Sequence, residues 1–119
     1  MTAEDVLQRN PRFLTRSKSF DTFLVFGPWI AVPDEVPELS ERTVRTRING
    51  ETIAENEIRN MLFRPRELVA FHSGVMTFHP GDVLSTGTPG AGRITPGDRV
   101  TAWVEGIGEV TASVTRERG

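Results

Sequence analysis

Eleven glycines and eight prolines are spread as punctuation through these 119 residues. No stretch between them is long enough for a long helix or a large helical bundle. The pattern predicts short segments joined by turns, a β-rich domain with limited helix. Its strongest local element is Asn49-Gly50. These two residues separate an alternating run, Thr43 to Ile48, from Glu51 to Ala54. Asn-Gly favours a type I′ turn because both central residues must take positive φ, so a hairpin is expected here. A second hairpin is expected from Val100, Ala102 and Val104 against Val110, Ala112 and Val114, joined through Glu105 to Glu109. Trp29 to Val32 and Val83 to Thr86 read as further short strands. Pro33-Pro37, His79-Pro80-Gly81-Asp82 and Pro96-Gly97-Asp98 read as turns.

Helix is expected in two places. Pro65 to Met76 begins on a proline and places Leu68, Val69, His72, Val75 and Met76 on one face. Thr2 to Arg9 is shorter, with Thr2 as its N-cap, and Asn10-Pro11 stops it. The sum is six or seven short strands and one good helix, an α+β fold dominated by antiparallel sheet. The tail from Thr115 to Gly119 is polar and is expected to fray.

Composition then narrows the chemistry. The chain has no cysteine, which excludes disulfide frameworks, Cys-zinc sites, iron–sulfur clusters and thiol nucleophiles. A net charge of −2 gives no electrostatic footprint for nucleic acid. No apolar run reaches the ~20 residues of a membrane-spanning helix. The first residues lack the apolar stretch of a secretory signal, so a cytoplasmic protein is expected. Thirteen of the fourteen basic residues are arginine, and Lys18 is the sole lysine. Lysine offers a compact ammonium with adjustable pKa, which arginine does not.

Two segments could carry chemistry. Thr86-Gly87-Thr88-Pro89-Gly90-Ala91-Gly92 is a Gly-rich loop whose amides and Thr88 hydroxyl could receive an anionic oxygen. It matches neither a GxxxxGK phosphate loop nor a dinucleotide fingerprint. Its plain alternative is an ordinary turn. Lys18 could hold a substrate carboxylate or stabilise an enolate; its plain alternative is a solvated lysine paired with Asp21. His72 lies on an apolar helix face and His79 in a turn, with no metal-ligand spacing between them. Glu51, Glu55 and Glu57 alternate as a solvated strand face would.

Five motifs, in order, resemble the fumarylacetoacetate hydrolase family. They are Lys18-Ser19-Phe20-Asp21-Thr22-Phe23 with Gly27-Pro28-Trp29-Ile30; Asn49-Gly50-Glu51; Val75 to Phe78 running into Pro80-Gly81-Asp82 and on to Gly87-Thr88-Pro89; Pro96-Gly97-Asp98; and Val104 to Gly108. The resemblance implies a mixed β-roll wrapped around a metal-centred pocket, usually as a homodimer. It implies chemistry on small oxo acids and β-dicarbonyl acids: hydrolysis of a carbon–carbon bond, decarboxylation, isomerisation or hydration. The shared step is an enolate held by Mg²⁺ or Mn²⁺. Lys18 matches the family's active-site lysine, and Thr88, beside Gly87, matches its carboxylate-binding threonine.

The same resemblance implies that the metal ligands are not in this chain. The family uses a Glu-x-Glu pair and an aspartate in an Asp-x-x-Ala-Arg-Asp-x-Gln pattern. Met1-Thr2-Ala3-Glu4-Asp5-Val6-Leu7 matches that pattern from its second position, with Glu4 at the arginine and Leu7 at the glutamine. Residues 1–119 are thus expected to be the C-terminal part of the catalytic domain, inactive alone. Exposed apolar surface is expected where the rest would pack, leading to homodimerisation or association with the missing N-terminal half. The alternative is a non-catalytic small-molecule-binding or dimerisation module derived from that fold.

Overall fold

In the computed structural model of the chain, residues 1–116 are described. Four strands form one antiparallel sheet: β1 (Thr43–Ile48), β2 (Glu51–Glu57), β3 (Arg99–Val104) and β4 (Gly108–Ser113), in the order β2-β1-β3-β4. Both expected hairpins are present. Asn49 and Gly50 take φ of 53° and 88°, the paired positive values of the expected turn. The Asn49 side chain does more than turn the chain. Its Nδ2 donates to Asp98 Oδ1 at 2.8 Å, and its Oδ1 accepts the Arg99 N–H at 2.9 Å. The first hairpin is thereby tied to the start of β3, which pairs with β1.

Register sorts the side chains into two faces. Val44 opposes Val104, Thr46 opposes Ala102, and Ile48 opposes Val100. Val110 and Ala112 continue this apolar face on β4. The opposite face is polar. Arg45 pairs with Glu55 and lies over the Trp103 ring, 4.8 Å from its centroid. Arg47 reaches Glu109 at 3.5 Å, and the Thr101 and Thr111 hydroxyls meet at 2.8 Å.

Helices differ from expectation in detail. α1 (Glu4–Arg9) has Ala3, not Thr2, at its N-cap, and no side chain caps it. Thr2 Oγ1 is engaged elsewhere, accepting from Lys18 Nζ at 2.7 Å. α2 (Leu14–Lys18) was not signalled by periodicity; five residues are too few to show one. α3 (Pro65–Ser73) starts on Pro65 as expected, with the Glu67 carboxylate accepting the Arg64 N–H at 2.7 Å. It stops at Ser73 rather than Met76. Gly74 is the C-cap, and the Val75 and Met76 amides fold back onto the His72 carbonyl.

Two expected strands are absent. Trp29 to Val32 and Val83 to Thr86 pair with no strand among the described residues, so the sheet has four strands rather than six or seven. Trp29 docks instead by its side chain. Its Nε1 donates to the Ile107 carbonyl at 2.8 Å, and its ring lies against Gly108. The expected fraying tail falls partly on residues 117–119, outside the described residues.

Burial is sparse. Among the described residues Val36 is the buried hydrophobic residue and Ser17 the buried polar one. The accessible surface is 9650 Å². A self-contained monomer of this mass exposes about 6,400 Å². The radius of gyration is 15.6 Å, against roughly 13.5 Å for a compact chain of this length. Much of the surplus is apolar: Ile30 is 91% exposed and Leu62 89%.

Candidate functional site

The Gly-rich loop is fixed by close contact with the sheet. A methyl group on Gly90 would stand 2.8 Å from Ala54 Cβ, and one on Gly92 would overlap Ile53 Cδ1. At Gly90 only a residue without Cβ lets the loop lie this close to β2, because Ala54 Cβ cannot swing away; at Gly92 the neighbour is the movable end of the Ile53 side chain. The Thr88 hydroxyl donates to the Gly90 carbonyl within the loop, at 2.8 Å. Thr88 and Gly87 then border a groove of about 650 Å³. Its other walls are Val44 and Val104 from the apolar sheet face, the turn at residues 58–60 and the start of α3.

Glu57 also lines this groove. It was expected on a solvated strand face with Glu51 and Glu55. Those two are exposed and Glu55 pairs with Arg45, but Glu57 is only half-exposed and is met by the Arg59 guanidinium. Asn56 and Asn60 stand beside it, joined by a 2.7 Å hydrogen bond. Strand alternation gave no hint of this, because the residues after Glu57 turn away from the strand direction. A carboxylate three residues before an Asn in a strand-ending turn was the signal available.

Lys18 lies apart from the groove walls. Its ammonium is on Thr2, not on Asp21. Ala3 N–H donates to the Ser17 carbonyl at 2.7 Å, so the start of α1 and the end of α2 are fastened together. The Met1 amine donates to the Phe23 carbonyl, and burial and then the nearby Lys18 ammonium push its pKa down. A second tie crosses to the Gly-rich loop, where Arg93 Nη2 meets Glu4 Oε1 at 2.8 Å. The loop's two sides are thus linked to separate elements: Gly90 and Gly92 to β2, Arg93 to α1. His72 is half-buried on α3 and His79 sits exposed in its turn, with its N–H donating to Asp82.

The family profile described as fumarylacetoacetate hydrolase C-terminal matches residues 1–115. The chain belongs to the fumarylacetoacetate hydrolase family. The maleylpyruvate hydrolase of Aquipseudomonas alcaligenes is 35% identical over 92% of this chain and 39% of the relative. The crystal structure of the 5-carboxymethyl-2-hydroxymuconate delta-isomerase of Mycobacterium smegmatis superposes with a TM-score of 0.89 at 38% identity, over 99% of this chain and 46% of that one. The maleylpyruvate hydrolase of Sphingobium sp., in complex with manganese(II) and pyruvate, gives 0.82 at 31% identity, over 87% of this chain and 39% of that one. The chain spans less than half the length of these relatives.

Manganese(II) accompanies pyruvate in one relative, so the fit of a divalent ion here can be tested on the donors present. Among the described residues no group of three or more His, Asp or Glu side chains converges as a metal centre would require. The described residues do not by themselves fit a divalent-metal site. Nor does any helix among the described residues have the length and apolarity to cross a membrane.

Proposed function

We propose that residues 1–119 form the carboxylate-binding side of an active site that processes a small oxo acid. The observation that carries this reading is the Gly-rich loop held against the sheet with Thr88 and Gly87 at the groove. Such a loop is preorganised in its backbone: its position against the sheet does not have to change when an anionic oxygen arrives, and only the Thr88 hydroxyl rotates. Thr88 now satisfies its proton internally on the Gly90 carbonyl, so binding exchanges one acceptor for another. Lys18 stands outside the groove lining on Thr2, and its role rests on its match to the family's active-site lysine: released from Thr2, its ammonium would orient the acid and stabilise enolate character. The reaction class follows from the relatives, hydrolysis or isomerisation of oxo acids, and the fold alone does not choose between them.

On this reading Mg²⁺ or Mn²⁺ is held by carboxylates outside these residues, and the chain alone is inactive. The surplus surface supports a partial catalytic domain whose apolar faces meet the rest of the enzyme, with homodimerisation as the family implies. A cytoplasmic location accompanies that reading. The alternative, a non-catalytic binding module, predicts oxo-acid binding without turnover.

The test is substitution in the intact protein, assayed for hydrolysis of an acylpyruvate and decarboxylation of oxaloacetate. Thr88→Val and Lys18→Ala should each lower kcat/KM by about 100-fold or more, the usual loss on removing one preorganised donor. Unchanged turnover in both variants would falsify the assignment.

A further inference from the structure

Asn-Gly is the dipeptide in which the backbone most readily attacks the asparagine side chain, because glycine puts no Cβ beside the attacking nitrogen. Asn49 and Gly50 are both exposed, and nothing lies within 4 Å of the place where a Gly50 Cβ would stand. The reaction needs only water. The Gly50 nitrogen bonds to Asn49 Cγ, the Cγ–Nδ2 bond breaks, and Nδ2 leaves as ammonia with the proton of the Gly50 N–H. Water then opens the cyclic imide to an aspartate. Opening at the other carbonyl gives an isoaspartate, which carries an extra methylene in the main chain. Nothing is oxidised or reduced.

The fold holds the carboxamide off this path. Asn49 Nδ2 donates to Asp98 Oδ1 at 2.8 Å, and Asn49 Oδ1 accepts the Arg99 N–H at 2.9 Å. The Asn49 N–H donates in turn to the Arg99 carbonyl at 2.9 Å. Both ends of the carboxamide are clasped by the start of β3, and it turns back on Gly50 only after both bonds open. Its orientation is forced. A backbone N–H only donates and an ionised carboxylate only accepts, so the two carboxamide atoms cannot exchange places. The same rule decides what the reaction does to the fold. A carboxylate at position 49 still accepts from Arg99, but its second oxygen meets Asp98 Oδ1 with no proton between them. Asp98 is charged at neutral pH, so like charges face each other where a hydrogen bond stood.

We propose that Asn49 is a deamidation site timed by its clasp on Asp98 and Arg99, and that the carboxylate it becomes unfastens the first hairpin from β3. This goes beyond the oxo-acid reading and does not rest on it.

The experiment is ageing of the intact protein in mildly alkaline buffer, with the deamidated fraction at Asn49 read by peptide mass spectrometry. The folded protein should react about tenfold or more slowly than the same protein in urea, since two hydrogen bonds must open first. Asp98→Ala, which releases Nδ2, should react several-fold faster than the unsubstituted protein. The comparison of folded with urea-unfolded protein needs no variant, so it decides even where Asp98→Ala does not fold. Asn49→Asp, the product made directly, should unfold at lower urea. Adding Asp98→Asn to it exchanges donor and acceptor, and the midpoint should recover. Equal rates in folded and unfolded protein, or in folded Asp98→Ala and the unsubstituted protein, overturn the clasp. An unshifted midpoint in Asn49→Asp, or no recovery in the exchanged pair, overturns the unfastening.

Discussion

The four-stranded sheet and the segments around it obey different rules. In the sheet, each strand finds its neighbour by register, and Asn49 and Asp98 tie the first hairpin to the start of β3. The segments 20–32 and 61–84 carry large apolar side chains, among them Phe26, Trp29, Ile30, Leu62, Phe63 and Val83, that are mostly open to water. Local chemistry is enough to specify the sheet: turn residues with the right φ, alternating faces, cross-strand pairs. The outer segments hold apolar area that the sheet leaves open to water. The same chain therefore contains a part specified by local pairing and a part that such pairing does not specify.

The largest expected effect separates these parts. If the proposed remainder of the catalytic domain packs over these segments, Ile30→Asp together with Leu62→Asp should cost the assembled protein about 3–6 kcal/mol, since each fully buried side chain of this size contributes about 1.5–3 kcal/mol. In the isolated 119-residue chain the same pair should be close to neutral, since both positions already face solvent. Urea unfolding of the two preparations makes the comparison. Equal sensitivity in both would break the distinction between the regions.

A smaller effect is expected where the two parts touch. Gly108 opens β4 at φ +133°, and a methyl group there would stand 2.7 Å from Trp29 Cζ2. Gly108→Ala should destabilise by about 2–3 kcal/mol, combining backbone strain with displacement of the indole. It should also shift Trp29 fluorescence, as the Nε1 bond to the Ile107 carbonyl is lost. A stable variant with unaltered emission would show that Trp29 is not held by this contact.

This division explains what could be read from the residues. Asn49-Gly50 announced its hairpin because the determinant is local steric preference. Glycine content placed Gly87 and Thr88 in a loop, and both border the groove. Lys18 was singled out by its scarcity, yet its partner Thr2 lies 16 positions away and α1 had been expected to use that hydroxyl as a cap. Trp29 to Val32 has strand composition but no strand beside it, so the same residues became a docked indole and exposed apolar chain. Glu57 is the last residue of β2, and the turn that follows at residues 58–60 brings Arg59 and Asn60 beside it, so it is less open than Glu51 and Glu55. For Lys18 and Trp29 what was illegible is a contact between distant segments, which no short pattern encodes.

The smallest expected effect probes the tie between the hairpin and β3. Asp98 accepts the Thr95 N–H at 2.7 Å, the Thr95 hydroxyl at 3.1 Å and Asn49 Nδ2 at 2.8 Å. The Thr95 amide, followed by the Asn49 side chain, holds its carboxyl below the ordinary value of 3.8. A carboxyl whose pKa is lower folded than unfolded stabilises the fold above its ordinary value. That contribution fades as the pH falls below 3.8 and through the folded value. Asp98→Asn removes the titration and keeps the shape. The variant should therefore lose a little stability at neutral pH, and its stability should fall less steeply below about pH 4 than that of the unsubstituted protein. Parallel acid limbs for the two proteins would show that the tie is geometric and carries no charge-dependent stability.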